Sequence, residues 1–221
     1  MEAIKRWIFR RKYSLGLCIF FLLWYGFQLL VFHSYNQQTA DWLFFMERPP
    51  DHISPGLAFA PISHNFEGYQ HISANVFLLF VIGGIIEPYL SNEHSYFTEK
   101  TILVIVLGIG YFGTYYVNFY LEAWTYGGAS GGIFALLIYG GIYLRGVIYN
   151  QLMWIMDSNV SMRRTDNLKE LIPLIIPLLL LSILFVEITS VQNAGHIVGF
   201  IFGFCYFIIE YLLIKLKVNI G

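Results

Sequence analysis

Apolar runs about one membrane thickness long alternate with short polar stretches along most of the chain. Six such runs fall at roughly 13–33, 71–90, 101–121, 127–145, 171–188 and 192–214. A helix needs about 20 apolar residues to cross the hydrocarbon layer of a bilayer. The pattern therefore predicts six transmembrane helices. Basic residues precede the first run, as they do in a secretory signal, but the run is too long for one and no small-residue cleavage pattern follows it. It reads as a true span. Span four opens on Gly127, Gly128, Ala129, Ser130, Gly131 and Gly132, which puts a lone hydroxyl between glycines at the mouth of a helix.

Composition agrees with this reading. Of the 221 residues 57% are hydrophobic and only 12% charged, about half the charge of a soluble domain. The fold class expected is an all-α polytopic membrane protein, a single bundle over 13–217 between a short basic segment, 1–12, and a short tail, 218–221. A net charge of −1 without a basic stripe gives nucleic acid no footprint. Cys18 and Cys205 lie in apolar runs and read as small buried residues, not as a disulfide or metal framework. The halves show no internal repeat, which argues against a small-solute transporter.

Charge sets the orientation. With the N-terminus inside, the six-span layout puts Lys5, Arg6, Arg10, Arg11, Lys12, Lys100, Arg145, Arg163, Arg164, Lys169, Lys215 and Lys217 on the cytoplasmic side, and only Arg48 outside. Lys and Arg collect on that side, so both termini are expected in the cytoplasm. Nothing suggests a transit peptide, and the cell membrane is the expected location. The outside segment 34–70 is not a plain polar loop. Trp42 to Met46 and Leu57 to Ile62 are apolar or aromatic, which suits the membrane interface.

Ionisable and polar groups inside spans are costly and mark function. His71 and Asn75 open span two, Ser130 opens span four and His196 opens span six. These spans run in one direction, so the four residues share a depth near the outer face. A serine becomes a nucleophile when a base takes its proton, and a neutral imidazole within reach can do so and later protonate the leaving amine. Helices four and six must then pack closely. Gly195, Gly199 and Gly203 recur every fourth residue, a spacing that lets backbones touch, and His196 points within about one-sixth of a turn of that face.

His71 and Asn75, four apart, share a helix face. Their donors suit the negative oxygen formed when Ser130 attacks a carbonyl. Taken singly, each residue has a plainer reading: Ser130 as packing, His196 as a core histidine, His71 as an interfacial anchor and Asn75 as helix glue. A metal site of His71, His196 and His64 is the other competitor. It lacks a carboxylate or cysteine at ligand spacing, and Asn is a poor zinc ligand. Glu187 reads as an interfacial carboxylate rather than a third catalytic member. Glu87 reads as a packing or capping group.

From about Phe59 to Gly203 the chain resembles the rhomboid family of intramembrane serine proteases. Gly128-Ala129-Ser130-Gly131 is similar to the family's GxSG motif, and His71-Ile72-Ser73-Ala74-Asn75 to its HxxxN motif. Gly195-His196-Ile197-Val198-Gly199 with Gly203 is similar to its AHxxGxxxG motif. The resemblance implies a six-helix core with a water-filled site opening outward and a first loop lying sideways in the membrane. It implies Ser130 as nucleophile, His196 as general base and acid, and His71 and Asn75 in the oxyanion hole, with Gly128, Gly131, Phe134 and Gly199 in support.

Four departures stand out. Gly195 replaces the usual Ala. Phe134 replaces a frequent Tyr, leaving a ring that can stack on His196. His64 resembles the histidine that precedes HxxxN, at a longer gap, and the Trp-Arg pair often seen in the first loop is absent. The expected activity is endopeptidase cleavage of transmembrane protein substrates in the lipid bilayer by a Ser–His dyad, with no cofactor, no metal and no nucleic acid. The alternative is a catalytically silent relative that binds membrane-protein clients.

Overall fold

A computed structural model describes residues 2–45, 54–64, 66, 69–90, 100–120, 129–143 and 194–218. The expected fifth span with Glu187, and Gly127 and Gly128, lie outside the described residues. All secondary structure among the described residues is helical. A short helix α1 (Glu2–Phe9) precedes α2 (Lys12–Ser34), α3 (Gln37–Phe44) and α4 (Gly56–Phe59), which tightens into a 3-10 turn at Ala60–Ile62. Next come α5 (Tyr69–Leu90), α6 (Thr101–Leu103), a π-helical stretch at Val104–Ile109 and α7 (Gly110–Tyr120). Then follow α8 (Ser130–Tyr143) and α9 (Ala194–Val218).

Three of these helices, over Lys12–Ser34, Tyr69–Pro88 and Gly195–Leu213, are long and apolar enough to cross a membrane. The apolar helices Thr101–Val117 and Ser130–Ile142 are shorter. The long helices are apolar on all sides, as expected where one face meets protein and the other meets lipid. Phe21, Leu79, Ile102, Ile105, Ile133, Leu136 and Tyr139 fill the core, while Leu23, Leu30, Phe77, Ile201 and Ile209 are exposed. Lipid is as apolar as leucine, so burial of such residues does not press membrane helices together. Close packing and buried polar contacts must do that.

Two such sets of contacts set the helix directions. Helix α2 runs antiparallel to α5. The first N–H groups of a helix have no partner within it, and α2 has no side-chain cap from the residue that precedes it. Glu87 near the end of α5 takes that role. Its carboxylate accepts from the backbone N–H of Tyr13 at 2.9 Å, the backbone N–H of Ser14 at 2.8 Å and the Ser14 hydroxyl at 2.6 Å. A negative group there also opposes the positive end of the helix dipole. Pro88 has no N–H, so it releases the carbonyl of Gly84 from the α5 ladder. Arg11 Nε donates to that carbonyl at 2.8 Å. Nearer the middle, Cys18 Sγ approaches the carbonyl of Val76 at 3.6 Å.

Helix α9 runs parallel to α8. Glycines face glycines near their starts, and further along Tyr139 Oη donates to Glu210 Oε2 at 2.6 Å. Tyr139 also meets the Tyr206 ring at 5.8 Å between centroids. Both Tyr139 and Glu210 are buried. A buried carboxylate is costly unless hydrogen-bonded, and this bond satisfies part of its need. Helix α5 meets α8 where the Ile86 side chain fills the space beside Gly140. From that contact Asn75 lies 11 residues back along α5 and Ser130 lies 10 residues back along α8. At about 1.5 Å per residue both stand roughly 15–17 Å from it, which puts them at one level.

The sequence reading differs from the fold in three places. Cys205, read as a buried residue, is exposed, whereas Cys18 is buried. The basic stretch before α2 contains a helix, α1, whose Trp7 ring sits under Arg11 at 4.6 Å and beside Phe80 at 6.3 Å. The segment expected as an interfacial loop is partly helical, with Asn36 capping α3 by accepting from the N–H of Thr39 at 2.8 Å.

Removing the Glu87 carboxylate strands two backbone donors and a hydroxyl. Glu87→Ala is expected to lower stability by about 3 kcal/mol, and Glu87→Gln, which keeps an acceptor, by less. Thermal unfolding of the purified protein in detergent checks this order.

Candidate active site

Ser130 is the first residue of α8 and is buried. A serine suits a helix start, where its hydroxyl has backbone donors nearby. Gly131, next in line, lies against α9. A side chain on Gly131 would begin 3.1 Å from the carbonyl oxygen of Gly195. A side chain on Gly199 would collide with the Gly131 carbonyl and come within 2.8 Å of its Cα. One turn on, a side chain on Gly203 would meet Ala135 Cα at 2.7 Å. The small-residue stripe of α9 therefore lies directly on the backbone of α8.

His196 sits between the first two contacts of that stripe. Phe134, one turn past Ser130, stacks on its imidazole at 4.2 Å between centroids and 12° between planes. A ring lying flat on imidazole restricts its rotation about χ2. Lacking a hydroxyl, Phe134 holds the ring by its face alone. His196 is half-buried.

On its other side, Ser130's helix meets the π-helical stretch. A side chain on Gly132 would collide with the carbonyl of Val106 and lie 2.8 Å from its Cα. A side chain on Gly110, just past the π stretch, would begin 3.6 Å from the backbone nitrogen of Gly132. Helix α7 continues beside α9, where Phe112 and Phe202 rings meet edge to face at 4.8 Å. The start of α8 is thus held between two backbones, those of α9 and of the π stretch.

His71 and Asn75 share the first turns of α5 but differ in setting: Asn75 is buried and His71 is exposed. They converge on a residue that spacing alone did not select as part of the site. Asn75 Nδ2 lies 3.0 Å from His64 Nε2, and the His71 ring meets the His64 ring edge to face at 5.5 Å. His64 follows the 3-10 turn and is itself buried. Its backbone N–H donates to Gln28 Oε1 at 3.2 Å, and Phe21 and Tyr25 close on its ring at 6.1 and 6.5 Å. Burial first, and His71 nearby, push its pKa down to about 3, counteracted only in part by the Ile62 backbone. The visible hint in the sequence was His64-Asn65 before His71, but its link to Asn75 depends on how the intervening loop folds.

The structure thus forms two groupings at one end of the bundle. One holds Ser130, Gly131, Phe134, His196 and Gly199 on α8 and α9. The other holds His64, His71 and Asn75 on α5 and the turn before it. Gly128 lies outside the described residues. Among the described residues no cluster of His, Cys, Asp and Glu is arranged to hold a metal ion.

Comparison with known proteins gives one family match. Residues 57–212 match the family model described as a Rhomboid domain. No curated protein and no solved structure matches the chain.

The α8–α9 contact is expected to be intolerant of bulk. Gly199→Val should cost about 1–3 kcal/mol or more through forced separation of the backbones. Gly141→Val on α8, where nothing lies within 4 Å of an added Cβ, should leave only a small propensity effect. Equal shifts in thermal unfolding for the two variants would count against a direct backbone contact.

Proposed function

The chain belongs to the rhomboid family, and on that premise we propose that it is an intramembrane serine endopeptidase that cleaves transmembrane segments of other proteins. The observation that carries this reading is the flat stack of Phe134 on His196, one helical turn from Ser130 across a glycine-only contact. A histidine held by its ring face, half open, beside a buried serine at a helix start has the makings of a nucleophile and its base.

In the proposed reaction His196 takes the proton of Ser130 Oγ as the oxygen attacks a substrate carbonyl. The carbonyl oxygen becomes negative and is held by donors from His71, Asn75 and the backbone N–H of Ser130. His196 returns the proton to the departing amine, which breaks the peptide bond and leaves an acyl-enzyme. Water, deprotonated by His196, then attacks the ester, and His196 returns that proton to the departing Ser130 Oγ, which frees the serine. A substrate helix must unwind before its carbonyl is accessible, so glycine and other weak helix formers near the cleavage point favour turnover.

Six spans with both termini in the cytoplasm complete the proposal, as one membrane domain over 13–217 in the cell membrane. This layout is supported by the distribution of Lys and Arg. It places the starts of α5, α8 and α9, and hence the site, toward the outside. Segment 34–70 then lies beside the site at the interface.

The test is cleavage of a single-span model substrate in proteoliposomes. Ser130→Ala is expected to abolish cleavage, at least 10³-fold, while the unfolding temperature stays within a few degrees. Cleavage at the wild-type rate in Ser130→Ala would overturn the reading. Substrate capture without any cleavage by the wild-type chain would favour the client-binding alternative.

A further inference from the structure

Asn75 carries two amide hydrogens, and its Nδ2 lies 3.0 Å from His64 Nε2. An amide nitrogen donates and does not accept. His64 Nε2 must therefore be the acceptor, which requires a neutral ring with its proton on Nδ1. One hydrogen of Asn75 is committed to His64, and the plane of the amide is fixed with it. The second hydrogen then points in a set direction. From these contacts we propose that His64 is a positioning residue, which locks the Asn75 amide in the orientation that presents its remaining N–H to the oxygen of the tetrahedral intermediate. This proposal rests on the protease reading above.

The surroundings of His64 suit a fixed acceptor. The residue is fully enclosed, and its backbone is tied to Gln28, itself buried on α2. Phe21 and Tyr25 from the same helix, and His71 from α5, meet the imidazole in T-shaped contacts. An imidazolium has no lone pair and could not accept from Asn75. Burial disfavours that charged form, so the acceptor is available throughout the neutral range. Three separate parts of the chain, α2, the turn after Ile62 and α5, thereby fix a single amide. An unrestrained Asn amide rotates about its terminal torsion, whose energy wells are broad. An oxyanion donor works by being aimed in advance.

His64 does not touch the reacting atoms, so its effect should pass through Asn75. The test measures kcat and KM for the single-span model substrate in proteoliposomes, with substrate as a mole fraction of lipid. Four variants are compared with wild type: His64→Phe, His64→Gln, Asn75→Ala and the double variant His64→Phe/Asn75→Ala. Phe fills the site without an acceptor, and Gln supplies a carbonyl in place of Nε2. Asn75→Ala is expected to lower kcat on the order of 10²-fold. His64→Phe is expected to lower kcat about tenfold or more, with KM little changed, and His64→Gln to recover much of that loss.

In the double variant kcat should equal that of Asn75→Ala alone, because a residue that acts only through Asn75 has nothing left to position. A folded His64→Phe with wild-type kcat would overturn the proposal, and so would effects that multiply in the double variant. Should His64→Phe not fold, His64→Leu, smaller and equally without an acceptor, decides the matter in the two backgrounds. An effect on kcat present with Asn75 and absent without it supports the proposal, and the same ratio in both, unity included, overturns it. Failure of the protease reading itself shows separately, as unaltered cleavage in Ser130→Ala.

Discussion

Everything at this site depends on two helices touching backbone to backbone. Gly131 and Gly199 leave no side chain between α8 and α9, and the carbonyl of one lies where the Cβ of the other would be. Within a bilayer no hydrophobic force gathers helices. Their association relies on contacts of this closeness and on the few polar bonds that survive burial. At the start of α8 the glycines supply the first kind. Near the far end, Tyr139 and Glu210 supply the second. Between them the relative height of α8 and α9 is pinned at two points, and that height decides whether His196 can stand over Phe134.

The same logic extends to the other half of the site. Helix α5 is held to α2 by Glu87, which caps the opening turn of α2, and by Arg11, which occupies the carbonyl that Pro88 frees. These contacts lie at the end of α5 remote from Asn75. They set the register of a rigid rod whose opposite end carries His71 and Asn75. Ile86 against Gly140 ties that rod to α8. A polar lock at one end of the bundle thus fixes the level of polar groups at the other. The described part of the molecule can be read as a frame at one end and a site at the other.

Much of this was legible in the residues. The α8–α9 contact left its mark as glycines at every fourth position, because only small residues permit it. Ser130 and His196 stood out because polar groups in apolar runs need a reason. Glu87 was expected as a packing or capping group, and it is a cap. What escaped the sequence depends on tertiary geometry. Glu210 sits inside an apolar run, and its partner Tyr139 is 71 residues away. The π stretch at Val104–Ile109 is marked only by Gly108, which in an apolar run does not announce a π turn, and Gly132 packs on it from another helix. His64 was noticed only by likeness to a motif. Its bond to Asn75 depends on a loop whose path spacing does not determine. The helices α1 and α3 are short and were hidden inside segments read as a short basic stretch and an interfacial loop.

The central claim is that Ser130 is a nucleophile because α9 brings His196 to it across the glycine contact. Covalent labelling by a fluorophosphonate reports this directly, since the probe reacts with an activated serine and needs no substrate. The purified wild-type chain in detergent should be labelled at Ser130, as located by peptide mass. His196→Ala and Gly199→Val should lose most of that labelling while remaining folded. Absence of label on wild-type Ser130, or labelling of both variants at the wild-type rate, would contradict the account.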